Sequence, residues 1–303
     1  DEVLPKVVAD QMKYKGRYVA VPVNVHRVNW LWANSAVLKK AGVAALPKNY
    51  DEFFAAADKI KAAGFVAVAH GGQDWQDFTV FESVVLGVGG AAFYDKALVK
   101  LDRAALSSDE MKKSLEVFRR IKGYTDDKSL GRDWNVTTEM VINGKAGFQF
   151  MGDWAKGEFT AAGKVPGKDY LCVAAPGTDK AYTFNIDSFA MFTQKDANAK
   201  KGQIALANAI MNPKFQSIFN LNKGSIPVRS GVSKDKFDAC ALKSMEDMDA
   251  TNKSGGLVPS FAHGMALPSA TQGAVTDVIA KFMNTNMSSK DAVAALAKAA
   301  KVK

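Results

Sequence analysis

Cysteine and histidine are scarce in this chain of 303 residues, with two of the first and three of the second. Cys172 and Cys240 fit no metal spacing and no Cys-x-x-Cys redox motif, and His26, His70 and His263 form no His-Glu-x-x-His signature, so no metal is expected. Equally missing are a Gly-x-Ser-x-Gly nucleophile elbow and a cysteine beside a histidine, which removes the common routes to acyl transfer. Gly87-Val-Gly-Gly-Ala has the wrong spacing for a dinucleotide loop, and no Gly-x-x-x-x-Gly-Lys occurs. No cofactor is expected. No apolar run approaches a membrane span, and the opening Asp1-Glu-Val-Leu-Pro5 has neither a basic n-region nor an apolar h-region. There is no internal repeat and no low-complexity segment.

What is present is enough apolar surface, 48% of residues, for one large core or two smaller ones, and two lobes fit the length better. The net charge of +9 favours acidic partners, yet the lysines are spread over helical faces instead of clustering with aromatics, so nucleic acid is not expected as a partner.

The chain is organised around Asn143 to Trp154. Asn-Gly signals a turn, Ala146, Phe148 and Phe150 alternate with Gly147, Gln149 and Met151 as in a strand with one apolar side, and Gly152-Asp153 ends it. Trp154 is thereby left at a strand's carboxyl end, where open α/β sheets gather ligands, although a core tryptophan has the same sequence signature. Upstream, Tyr18 to Trp32 reads as two extended pieces kinked at Pro22. Helices follow from Ser35 to Lys40 and from an Asn49/Glu52 capping box, the latter with Phe53, Ala57 and Ile60 on one face, and then a strand from Phe65 to Ala69. Strand, helix, helix, strand is α/β order. The loop His70-Gly-Gly-Gln-Asp-Trp-Gln-Asp77 carries Trp75 and Gln76 toward a ligand, before a helix from Phe78 to Gly87. Ser107 with Glu110 is expected to cap the helix holding Met111, Leu115, Phe118 and Ile121, and Thr137 or Thr138 to start the helix before the central strand. Tyr170 to Gly177 is a strand, and Tyr182 to Phe192 another, passing between lobes with Asn185 and Asp187 at the crossing. Helical periodicity runs through Ile204, Ala207, Ile210 and Met211, past Pro213, to a turn presenting Lys223.

Trp, Asn, Asp, Gln, Lys and His together form the kit of sugar recognition: flat aromatics cover the C–H face of a pyranose, while amides, carboxylates and ammonium groups satisfy its hydroxyls. A carbohydrate-active enzyme of α/β fold would use the same inventory, with Asp153, Asp187 and Glu158 as its candidate carboxylates. A binding protein for another small polar solute is a third reading.

Four segments carry a resemblance over essentially the whole chain: Tyr18-Val-Ala-Val-Pro-Val, Pro47-Lys-Asn-Tyr-Asp-Glu-Phe-Phe, Ile142-Asn-Gly-Lys-Ala-Gly-Phe with Met151-Gly-Asp-Trp, and Asn222-Lys-Gly-Ser-Ile-Pro-Val. Together they resemble the family 1 extracellular solute-binding proteins of ABC sugar importers, in particular those for glucose and mannose. The resemblance implies the two-lobed α/β periplasmic binding protein fold of type II, maltose-binding-protein-like, with no catalytic residue. It implies high-affinity capture of a monosaccharide in the periplasm by a monomer and delivery to a membrane permease. Carried over, Trp154 is the stacking aromatic, Asp187 the hydroxyl acceptor, Lys223 the ammonium donor and His263 a further contact, with Asn185, Trp75 and Gln76 lining the pocket. Trp154 should then stand partly open. An oxidising periplasm further implies that Cys172 and Cys240, otherwise readable as buried thiols, are paired.

Relatives carry further chain before this sequence begins, including a Trp-Trp pair and an acidic residue. The expected first lobe is therefore incomplete, with residues 1–20 and 188–225 as its remnant. Residues 24–178 and 230–303 form the second lobe, and crossings fall near 20–24, 178–188 and 225–230. Alone, such a chain is expected to bind glucose weakly or not at all.

Overall fold

In a computed structural model, which describes residues 2–301, the central strand runs from Ala146 to Phe150 inside a four-stranded sheet. The spatial order is Val66–Val68, Ala146–Phe150, Trp30–Asn34, Tyr170–Ala174. The first two are parallel, and Trp30–Asn34 is antiparallel to both its neighbours. Every residue of Ala146–Phe150 is buried, Gln149 included, so the single apolar side expected from the alternation is not what forms. Both faces are covered, as they are when helices pack on either side of a sheet.

On one face lies the helix Tyr50–Ala62. Asn49 Oδ1 accepts from Glu52 N at 2.9 Å and the Glu52 carboxylate accepts from Lys48 N at 2.8 Å, which fixes its start. Phe53, Ala57 and Ile60 are wholly buried against the sheet. Gly147 is what admits Ile60, since a Cβ there would stand 2.6 Å from Ile60 Cδ1.

Three expected boundaries move. Ser108, not Ser107, caps Asp109–Lys122 by accepting from Met111 N. The helix expected to start at Thr137 or Thr138 starts at Trp134, because both threonine hydroxyls donate back four residues, to Asp133 O and Trp134 O, as mid-helix hydroxyls do. The helix expected from Phe78 begins at Asp74, so Trp75 and Gln76 stand in its first turn and not in a loop. It runs to Tyr94 with a break at Gly90. Together with the following turn to Val99 it spans 26 residues, long and apolar enough to cross a membrane, contrary to the reading of the sequence. Here it is a core helix: Phe78, Phe81, Val84, Val85 and Leu86 are buried between Asp109–Lys122 and Ser269–Asn284.

A second sheet orders Leu257–Pro259, Tyr182–Asn185 and His26–Arg27, and Ala20–Pro22 pairs antiparallel with Ser188–Ala190. The strand expected from Tyr182 to Phe192 is thus two, broken at Ile186 and Asp187, where the chain leaves one sheet for the other. Beyond that break Ala197–Ile210 buries only Ile210 and leaves Ile204 and Leu206 half exposed.

Cys172, on the strand Tyr170–Ala174, is bonded to Cys240, on the helix Ala239–Ser254, across 68 residues of sequence. In the chain-entropy picture closing that loop stabilises by about 4 kcal/mol. Replacing both cysteines by serine is expected to lower the urea-derived unfolding free energy by about that amount; a loss below about 1 kcal/mol would mean that the cross-link constrains little.

Candidate functional site

The central strand ends where Gly152 turns the chain, and the Trp154 ring folds back over that glycine: a Cβ on Gly152 would lie 2.1 Å from ring carbon Cζ3. Asp153, 2% exposed, is aimed inward by this turn. Its Oδ1 meets His26 Nδ1 and its Oδ2 accepts from Arg27 N at 3.0 Å. On the other side of the imidazole, His26 Nε2 lies 2.9 Å from Asp187 Oδ2. One buried ring therefore joins the end of the main sheet to the break between Tyr182–Asn185 and Ser188–Ala190.

Burial alone would strip the proton from His26, but the carboxylates of Asp153 and Asp187 prevail and raise its pKa to about 9. With both nitrogens protonated, Nε2 donates to Asp187. Asn24 Nδ2, 2.9 Å from Nε2, then gives its own proton to Asp187 Oδ2 at 3.0 Å. Burial pushes the Asp187 carboxyl up, and the bond and charge of His26, the Asn24 amide and the charge of Lys223 together bring it well below the usual range. Asn185 Nδ2 donates to Oδ1 at 3.2 Å. Asp187 is an ionised acceptor, held from behind by donors and open in front.

In front of it is a cavity of about 300 Å³ with three tryptophan walls, Trp75, Trp134 and Trp154. Asn185, Asp187, Lys223 and His263 supply the polar lining, and His26 reaches it from behind. His263 sits edge-on to two of the walls, with centroids 4.9 Å from Trp154 and 5.7 Å from Trp75. Burial first, then the His26 charge, lowers its pKa to about 3 against the opposing pull of Asp187. It stands neutral, and its Nε2 lies 3.4 Å from Thr79 Oγ1, whose proton goes to Trp75 O, so Nε2 donates there and Nδ1 is the acceptor. Lys223 closes the helix Pro213–Lys223, ended by Gly224 in the left-handed region. A cavity of similar size, about 320 Å³, lies by Asn143, Lys40, Lys164 and Lys168, but no tryptophan lines it.

Six residues marked from the sequence thus meet in one cavity: Trp75, Trp154, Asn185, Asp187, Lys223 and His263. Gln76 does not join them. It is fully buried, and its Nε2 donates to Gln73 Oε1 at 2.8 Å and to Arg132 O at 2.9 Å. Its work is structural, tying down the turn that presents Trp134. Gly71 makes room for that tie, since a Cβ would lie 2.1 Å from Gln76 Oε1 and 2.5 Å from Arg132 O. Trp154 is also less open than expected. It is 8% exposed and packs with Trp30, Trp32 and Met151, so its loss would open a void as well as a wall. Two lining residues escape the sequence reading. His26 lies in a buried valine-rich run, and Trp134 hides behind a misplaced helix start; an aromatic just after Asp133, in a polar stretch, was the available signal. Among the described residues no group of histidine, cysteine and carboxylate side chains could hold a metal.

Residues 1–214 match the model of the bacterial extracellular solute-binding protein family. Over 293 residues the chain is 48% identical to a probable sugar-binding periplasmic protein of Brucella suis, covering 97% of this chain and 69% of that one. A protein of the same description from Rhizobium meliloti is 46% identical, covering 98% and 71%. Among solved structures, a chitin oligosaccharide binding protein superposes with a TM-score of 0.80 at 16% identity, covering 98% of this chain and 78% of the other. Maltose-bound MalE3 of T. maritima superposes with a TM-score of 0.76 at 18% identity, covering 98% and 76%. The fold is thus maltose-binding-protein-like, as the sequence resemblance implies.

The raised His26 pKa carries a sign. A group protonated more readily in the folded chain than in the unfolded one contributes its full stability below its unfolded value, near 6.5, and loses it as pH climbs through about 9. The unfolding free-energy difference between the wild type and His26→Gln is therefore expected to shrink between pH 6.5 and 9.5, by on the order of 3 kcal/mol at one pKa unit per 1.4 kcal/mol. Urea titrations at both pH values check this; a constant difference would mean that His26 is neutral.

Proposed function

The chain belongs to the bacterial extracellular solute-binding protein family, a family of binding proteins and not enzymes, and we propose that it captures one monosaccharide, glucose or mannose, in the periplasm and delivers it to the permease of an ABC importer. The observation that carries this reading is the pairing of three tryptophan walls with an ionised acceptor, Asp187, inside one cavity of about 300 Å³. Aromatic faces cover apolar C–H surface and leave hydroxyls free; Asp187 accepts from a hydroxyl, Lys223 donates to one, the Asn185 amide serves either role, and neutral His263 offers an acceptor. The relatives' descriptions, which say sugar-binding without naming a sugar, agree in ligand class. We take the protein to act as a monomer.

The same reading makes residues 188–225, with 1–20, the remnant of a first lobe whose remaining wall closes over the sugar. Consistent with it, large apolar side chains are exposed there: Phe189, Phe192, Ile204, Leu206 and Ile218 are 50 to 72% exposed. On that reading, water competes for part of the sugar's hydrogen bonds in these 303 residues taken alone, and they should bind with a dissociation constant of ~1 mM or weaker, near −4 kcal/mol.

Tryptophan fluorescence, with Trp75, Trp134 and Trp154 at the cavity, follows titration to high sugar concentration. Glucose or mannose is expected to saturate the signal. Asp187→Ala and Trp75→Ala are each expected to weaken binding at least tenfold, about 1.4 kcal/mol. Saturation by amino acids or polyamines and not by sugars would overturn the reading.

A further inference from the structure

Glu82 is a fully buried carboxylate that the cavity does not touch, yet it gathers four donors. Ser260 Oγ donates to Oε1 at 2.7 Å, while Phe261 N, Tyr94 Oη and Ala262 N donate to Oε2 at 2.8, 2.9 and 3.1 Å. Three of these donors lie on the loop after Leu257–Pro259, and the next residue of that loop is His263. His263 N in turn bonds Ser260 Oγ at 3.3 Å. We propose that Glu82 is a positioning residue, gripping the loop Ser260–Ala262 from the core so that its charge sets where the His263 ring stands in the cavity. The consequence for ligand affinity rests on the sugar-site reading; the grip on His263 does not.

The Tyr94 hydroxyl makes this grip sensitive to protonation. It has one proton and two acceptors, Glu82 Oε2 and Pro259 O, both at 2.9 Å. When Glu82 is ionised, the phenol and both amides turn to the carboxylate. When Glu82 takes a proton, it becomes a donor, the phenol is released to Pro259 O, and the Phe261 and Ala262 amides lose the charge they were drawn to. Burial lifts the Glu82 pKa, the four hydrogen bonds pull it back, and it settles at about 7. The exchange therefore falls in the neutral range.

Burial and the neighbouring Glu82 charge hold the Tyr94 phenol well above its usual range, so it stays protonated. His263 is held neutral. The helix Ser269–Asn284 buries Val275 and Ile279 alongside and keeps Asp277 and Lys281 exposed, and Asp109–Lys122 buries only uncharged residues. On the helix of Glu82 itself, Asp77 is paired with His70 at 2.7 Å, more than a turn away.

Ring ¹H–¹³C NMR signals of the three histidines, assigned with His263→Gln, provide a readout that needs no ligand. In the wild type the His263 signals are expected to shift with an inflection near pH 7 without the large displacement of imidazole protonation. Glu82→Gln, checked for folding by circular dichroism, should abolish the inflection. Tyr94→Phe, which removes a donor to the ionised form, should move it to higher pH. An inflection that persists unchanged in both variants, or is missing from the wild type, overturns the proposal. Glucose affinity measured at pH 6 and pH 8 should be several-fold tighter at pH 8 in the wild type and equal in Glu82→Gln. If no sugar binds while the His263 signals still follow Glu82, the sugar reading fails and the positioning role stands.

Discussion

A buried imidazolium between two carboxylates is the interaction on which the site depends. His26 touches Asp153, which ends the main sheet, and Asp187, which marks the break between two strands of other sheets. Taking such a charge out of water is costly unless its partners are present, and removing one partner from a buried pair typically costs about 3–5 kcal/mol. The three residues are therefore a unit. Because the cation lies behind Asp187, the carboxylate is ionised and fixed before any ligand arrives, so less ordering is left for binding to supply.

That arrangement also explains where the cavity lies. The main sheet, the second sheet and the pair formed by Ala20–Pro22 and Ser188–Ala190 abut near Asp187, and Trp154 follows the carboxyl end of the central strand. Strand ends offer side chains a direction and a gap that strand middles, with neighbours on both sides, do not. The helix starting at Asp74 brings Trp75 from another direction, and the loop gripped by Glu82 brings His263.

Much of this was legible in the sequence wherever the signal was local. The Asn49/Glu52 cap and the stop at Gly152 depend on neighbours in the chain, while the seven ligand candidates, six of which line one cavity, came from the family resemblance. The failures are those of long-range contacts. Gln76 has the amide of a sugar ligand, and only the distant Arg132 carbonyl assigns it to structure. His26 sits among valines, and nothing nearby announces that Asp153 and Asp187 will close on it from 127 and 161 residues away. Nothing in the helix around Glu82 shows that the loop 260–262 will fold onto it. A buried charge is defined by partners that a linear pattern does not contain.

The charge state of His26 is the most direct point of test. Nitrogen-15 NMR of the imidazole at pH 7.5 separates protonated from bare ring nitrogens. Both nitrogens of His26 are expected to carry protons, with Nε2 losing its proton when Asp187 is replaced by asparagine. A neutral ring with one bare nitrogen in the wild type would contradict the ionised, preset acceptor from which the sugar site was argued.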